Sequence, residues 1–200
     1  MWDASRAGVA AQAEAAGAEV VATEWAPDDQ DATTEALRAL LDPPGAARPD
    51  LVVTVGGVSV GRHDHVRRAL AALGVDEEMW GVEMRPGHPT YLGTRAGQVV
   101  LGLPGNPVSA AVVFHALGRP LLGHDGDWTE EHPLAVPWEA SHRHRAELVR
   151  CRVEPDGLVP MPRQWSHAIS SLAGAEVLAW IPAAAGPLGA GTRLRVSRLP

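Results

Sequence analysis

From Asp3 to about His124, apolar positions alternate between helical spacing and short β-branched runs. An Ala-rich stretch from Asp3 to Ala16, stopped by Gly17, predicts a helix, and Ala18 to Thr23 predicts a short strand. Leu37, Leu40 and Leu41 put one apolar face on a helix around Thr33 to Leu41, which Pro43, Pro44 and Gly45 break. Leu51 to Val55 is the next strand. It runs at once into Gly56, Gly57 and Gly61, then into a helix from Asp64 to Leu73 with Val66, Ala69, Leu70 and Leu73 on one face. Trp80 to Met84 predicts a strand and Arg85-Pro86-Gly87-His88-Pro89 a turn. Tyr91 to Thr94 and Gln98 to Leu103 flank Arg95-Ala96-Gly97 as a hairpin. Asn106 is placed to cap a helix, with Pro107 at its first position, and that helix is expected to reach about Leu117. The order α, β, α, β, loop, α predicts a three-layer α/β domain with a mostly parallel sheet. Because the order begins on a helix, the first strand is expected upstream or from another polypeptide.

After His124 the pattern changes. Gly123 to Pro133 is polar and glycine-bearing, and beyond it strands are expected at Leu134 to Trp138, Arg145 to Val153, Leu158 to Met161, Val177 to Ile181 and Thr192 to Leu199. The turn Glu154-Pro155-Asp156-Gly157 joins two of them, and the alternation predicts a small all-β barrel or sandwich. The expected division is an α/β domain over 1–124, a hinge over 125–132 and a β-barrel domain over 133–200.

Composition narrows the function classes. Two hundred residues suffice for one large or two small cores, and the formal net charge of -7 argues against nucleic acid or a basic membrane surface. The 17 basic residues are dominated by Arg, which grips phosphate and carboxylate in bidentate fashion. A single cysteine, Cys151, fits a reducing compartment, and no apolar run is long enough to span a bilayer. The expectation is a soluble cytoplasmic protein.

The candidate chemistry gathers on loops that follow strands. Glycines let a backbone approach a ligand, and the start of the next helix offers unpaired N–H groups, so Gly56 to Gly61 reads as an anion cradle or as a tight turn. Asp28, Asp29 and Asp31 follow the Ala18 to Thr23 strand and would reach the same sheet edge. One of them caps a helix; another, with Asp64, is able to hold Mg²⁺ beside a phosphorylated ligand. Arg85 and His88 flank a Pro-Gly turn, either presented to an anion or simply at the surface. Pro104-Gly105-Asn106-Pro107 is fully accounted for as a helix start. Ser166, His167, Ser170 and Ser171 form a polar loop with no assembled nucleophile.

Taken in order, Asp50 to Gly61, Asp64, Arg85-Pro86-Gly87-His88-Pro89 and Leu103-Pro104-Gly105-Asn106-Pro107-Val108-Ser109 resemble the molybdopterin molybdenumtransferases, the family of bacterial MoeA and of the C-terminal domain of gephyrin. The resemblance covers the whole chain but only the C-terminal half of the family protein. It implies binding of adenylated molybdopterin and molybdate, release of AMP with a divalent cation, and insertion of molybdenum. On this reading Asp28, Asp29, Asp64 and Arg85 are catalytic, and Asp28 and Asp64 hold the metal. Gly56, Gly57, Ser59, Gly61, His88, Pro104, Asn106, Pro107, Ser166 and Ser170 line the substrate site. A homodimer or an N-terminal partner half is implied as well. The family usually carries Lys where Arg85 stands and Lys or Leu at His88. Two other readings share the residues: an adenylyltransferase of the related glycine-loop type, and a non-catalytic molybdopterin- or peptide-binding scaffold.

Overall fold

The computed structural model describes residues 4–59, 64–124, 128–139 and 144–200. Helices α1 (Ala4–Ala15) and α2 (Gln30–Leu41) precede strand β1 (Leu51–Val55), helix α3 (Val66–Ala72) and strands β2 (Asp76–Trp80) and β3 (Met84–Arg85). The hairpin β4 (Tyr91–Arg95) and β5 (Gln98–Leu103) leads into α4 (Pro107–Val113), a π-helical turn at Phe114–Gly118, and α5 (Arg119–Leu121). Strands β6 (Glu130–Pro133), β7 (Ala146–Glu154) and β8 (Gly157–Pro160) follow, then α6 (Ser170–Ala173), β9 (Val177–Ile181) and β10 (Arg193–Arg198).

The first sheet has the order β1-β5-β4-β2 and is mixed, which corrects the expectation of a mostly parallel one. Only β1 and β5 run parallel; β4 is antiparallel to both β5 and β2. The cause is local. Ala96 and Gly97 both take positive φ (49° and 86°), the geometry of a tight hairpin, so β4 must run back along β5. Ala18 to Thr23, expected as a strand, belongs to no ladder among the described residues, and Val21 in it is exposed.

Alternation along β1 and β5 sends side chains to two helical layers. Val52 and Val100 pack with Leu37, Leu41, Ala69 and Leu70 of α2 and α3. Leu101 and Leu103 pack on the opposite face with Val9 of α1 and with α4. Every residue from Val108 to Val113 is buried, as suits a helix that is apolar all round. The far side of α4 meets Leu148 and Leu178 of the second sheet, so one core joins both sheets. His115 in the π turn shares a 2.7 Å hydrogen bond with Ser197 of β10 across that junction. The helix runs through Arg119 and Pro120 to Leu121, past the expected stop.

The second sheet has the order β3-β7-β9-β10-β6, with β8 also on β7, and it is not a barrel, which corrects the second fold expectation. The nine-residue β7 carries β8 along its end and the two-residue β3, in parallel, along its start. The start of β7 is therefore paired with residues that precede α4, and the sheet is neither closed nor built from the second unit alone. An isolated bridge, Leu134 to Leu158, crosses towards β6 without a ladder. Gly157 is required there: its φ is 126° and a Cβ would run into the Pro133 carbonyl. Together the two mixed sheets form an α/β domain. Among the described residues no helix is long and apolar enough to cross a membrane.

Candidate functional site

Because β1 and β5 are parallel, their C-terminal ends meet at one sheet edge, where ligands of open α/β sheets gather. The loops leaving the two strands touch backbone to backbone. Gly56 N–H donates to the Leu103 carbonyl at 2.9 Å, and a Cβ built on Gly56 would stand 3.6 Å from Gly105 Cα. Gly57 holds φ +70°, and its carbonyl accepts from Val66 N–H at 3.2 Å, which fixes the start of α3. A Cβ on Gly57 would come within 2.6 Å of Val66 Cγ2. Only glycine suits the position.

A cleft of about 340 Å³ opens on this edge, floored by Gly56, Gly57 and Gly105. Asp28 and Trp25, from the segment before α2, form one side, and His65 and Arg6 stand at the others. The starts of α2 and α3 are tied together there: His65 Nδ1 and Gln30 Oε1 are 3.3 Å apart, and Gln30 Nε2 donates to the His65 carbonyl at 3.5 Å.

The remaining candidates divide. Asp29 is the N-cap of α2, its Oδ1 accepting from Ala32 N–H at 2.9 Å, while the neighbouring Asp28 faces the cleft. Asp29→Ala is therefore expected to cost about 1 kcal/mol of stability, and Asp28→Asn less than about 0.5 kcal/mol. Equal falls in melting temperature for the two would undo that assignment. Asp64 is half-buried just before α3 and is engaged with a neighbouring group, though it does not line the cleft. Ser59 is exposed on the glycine loop, and Gly61 lies outside the described residues. Pro104 is buried. Asn106 occupies the N-cap position of α4 without a side-chain cap bond, and Pro107 is at the first turn.

Arg85 and His88 sit at the junction of the sheets rather than in the cleft lining. Arg85 Nη1 approaches the buried Glu147 carboxylate at 3.9 Å, and His88 Nδ1 donates to the Val82 carbonyl at 3.0 Å. Ser166 meets the first unit through its backbone: its carbonyl accepts from Val108 N–H, in the first turn of α4, at 3.2 Å. Ser170 is exposed at the start of α6. Among the described residues no three His, Cys, Asp or Glu side chains cluster as a metal site. Mg²⁺ is commonly held by one or two carboxylates plus substrate phosphates, so Asp28 and Asp64 suit it only in donor chemistry.

Sequence reasoning missed Arg150. It lies in the middle of β7 with no exposed surface, and its Nη2 donates to the Arg163 carbonyl at 3.1 Å. Its Nε and Nη1 have no hydrogen-bond partner among the described residues. Burial pulls its pKa down to about 10, and the neighbours that act on it are Cys151 and Arg85. Burial pushes the Cys151 thiol up to about 12, so it is neutral at pH 7, and Arg85 carries the same sign as Arg150. A buried cation with unpartnered donors is costly to stability. The sequence signal was an Arg at an inward position of a strand, visible only once β7 was known to be covered on both faces.

Two family models match the chain. Residues 1–124 match the family described as "Probable molybdopterin binding domain", and residues 133–199 match "MoeA C-terminal region (domain IV)". The likeness thus extends over two distinct family domains, which corrects the expectation that it is to the C-terminal half alone. Molybdopterin molybdenumtransferase 2 of Mycobacterium tuberculosis is 34% identical over 200 residues, covering 94% of this chain and 48% of that protein. The molybdopterin molybdenumtransferase of Nostoc is 40% identical over 96 residues, covering 46% of this chain and 21% of that protein. The chain spans about half the length, or less, of the curated relatives it matches. Among solved structures, a molybdopterin biosynthesis MoeA protein of Pyrococcus horikosii is 26% identical with a TM-score of 0.69, over 86% of this chain and 42% of that one. A molybdenum cofactor biosynthesis protein of Pyrococcus furiosus, at 21% identity and TM-score 0.75 over 96% of this chain and 62% of that one, shares the fold.

Proposed function

This chain belongs to the family of probable molybdopterin-binding domains and carries a MoeA C-terminal region behind it, and on that premise we propose that it acts in molybdenum cofactor biosynthesis as a molybdenumtransferase. The reaction is insertion of molybdate into adenylated molybdopterin with release of AMP. The observation that carries this reading is the pair of glycine loops, Gly56-Gly57 and Gly105, meeting at the parallel β1/β5 edge beside Asp28. Such a floor brings backbone N–H groups close to a phosphorylated ligand without side-chain obstruction.

Both substrates are anions and the chain is acidic overall, so local donors must hold them. The glycine backbone positions the phosphate. His65 and Arg6 stand at the sides of the cleft. Asp28 and Asp64 would hold Mg²⁺, which when bound would neutralise charge on the phosphate oxygens. Arg85, pinned near Glu147, positions the turn that carries His88, and Ser166 seats the second unit on α4. The division at 1–124 and 133–200, a homodimer or N-terminal partner half, and a cytoplasmic site of action belong to the same proposal.

The test is molybdate-stimulated release of AMP from adenylated molybdopterin, by the chain alone and with a partner half supplied in trans. Asp64→Ala and Asp28→Asn are each expected to slow release at least a hundredfold at unchanged fold, the order seen when a positioned charged group is removed. Absence of AMP release in both formats would overturn the proposal.

A further inference from the structure

We propose that Trp165 and His167 form an aromatic platform on which the heterocyclic ring of the substrate stacks. The inference rests on the molybdopterin reading above and names a residue outside the cleft lining that recognises the ring. Trp165 is 58% exposed, and its ring lies nearly parallel to that of His167, with centroids 5.7 Å apart and planes 21° apart. One face of the indole is thus covered by imidazole, and the other is left as half of a sandwich. An exposed Trp on a loose loop would carry little meaning. This one is on a loop fixed at each end.

Gln164 Oε1 accepts from Arg150 N–H at 3.2 Å, and Gln164 Nε2 donates to the Arg150 and Met161 carbonyls at 2.8 and 3.0 Å. The Arg163 carbonyl takes the bond from Arg150 Nη2, and Ser166 accepts from Val108 N–H of α4. Trp165, N-terminal to Ser166, therefore stands between residues anchored to Arg150 and the helix whose preceding loop floors the cleft. Ala168 N–H and Ile169 N–H close back onto the Trp165 and His167 carbonyls at 3.2 and 3.0 Å, holding both rings in place. A pre-organised aromatic surface on a loop that touches the helix behind the glycine floor matches a flat heterocycle joined to an anionic group that rests on that floor, as in a pterin phosphate or a nucleotide.

The test is binding of pterin-6-carboxylate, AMP and molybdate to the wild-type chain, Trp165→Ala and Trp165→Phe, measured by calorimetry, with AMP release followed in parallel. Trp165→Ala is expected to weaken pterin-6-carboxylate roughly tenfold to a hundredfold, the range found for one base–aromatic stack. Trp165→Phe should restore binding to within about threefold, since a phenyl ring still offers a face. Molybdate affinity should be the same in all three chains. Unchanged pterin binding in Trp165→Ala, with AMP release intact, overturns the platform alone. A wild-type chain that binds no pterin and releases no AMP overturns both the platform and the function beneath it. Phe as weak as Ala also overturns stacking, because an indole hydrogen bond or loop packing would then be the cause.

Discussion

Arg150→Met is expected to raise the melting temperature by about 3–10 °C. Arg150 is fully buried, gives one hydrogen bond to a backbone carbonyl, and leaves Nε and Nη1 unpaired among the described residues. Removing a charge from water without a partner costs several kcal/mol, and a flexible apolar chain of similar length fills the space at no such cost. The expected gain is about 1–3 kcal/mol. Thermal melts of the two chains at pH 7 read this gain directly.

The pH dependence carries a second signature. Arg150 titrates at about 10 in the folded chain, below its ordinary value, because burial disfavours the charged form. The unfolded chain therefore binds more protons at this site between those values, so wild-type stability gains relative to the variant as pH climbs through that window. The advantage of Arg150→Met should be full at pH 7 and should narrow above about pH 10. A variant that melts lower than wild type at pH 7 would show that Arg150 is already paired.

Much of the first layer was legible because local chemistry and global fold agree there. Asp29 caps α2 through its own side chain, Ala96-Gly97 forces the hairpin, and Gly56-Gly57 follows a β-branched run into a helix. What was not legible depends on partners remote in the chain. Met84 and Arg85 make a two-residue strand with no periodicity, yet their pairing with Ala146 and Glu147 carries the first unit into the second sheet. Ala18 to Thr23 has strand-like residues, but a strand exists only against a neighbour, and none is present among the described residues. The site shows the same division. The glycine floor and Asp28 could be read from residue type, whereas Arg150 looks like any strand arginine until both faces of β7 are known to be covered.

Gly57→Ala is expected to cost about 2–4 kcal/mol and to abolish AMP release at temperatures where the variant is still folded. Two separate terms produce this. A left-handed φ of +70° is strained for any residue with a Cβ, and this part amounts to about 1–2 kcal/mol. The second term is steric: the new Cβ would lie 2.6 Å from Val66 Cγ2 and 3.4 Å from Val66 Cβ, on the first residue of α3. Val66 is anchored by its own N–H to the Gly57 carbonyl, so relief of the contact must shift the start of the helix. His65 and the glycine floor would shift with it, and both line the cleft. The terms separate in a double-mutant cycle. Val66→Ala beneath Gly57→Ala should recover the steric part, about 1–2 kcal/mol, and leave the backbone part unchanged. Additive losses in the cycle would mean that the chain absorbs the contact elsewhere. Normal AMP release by a folded Gly57→Ala would mean that the substrate does not rest on this loop.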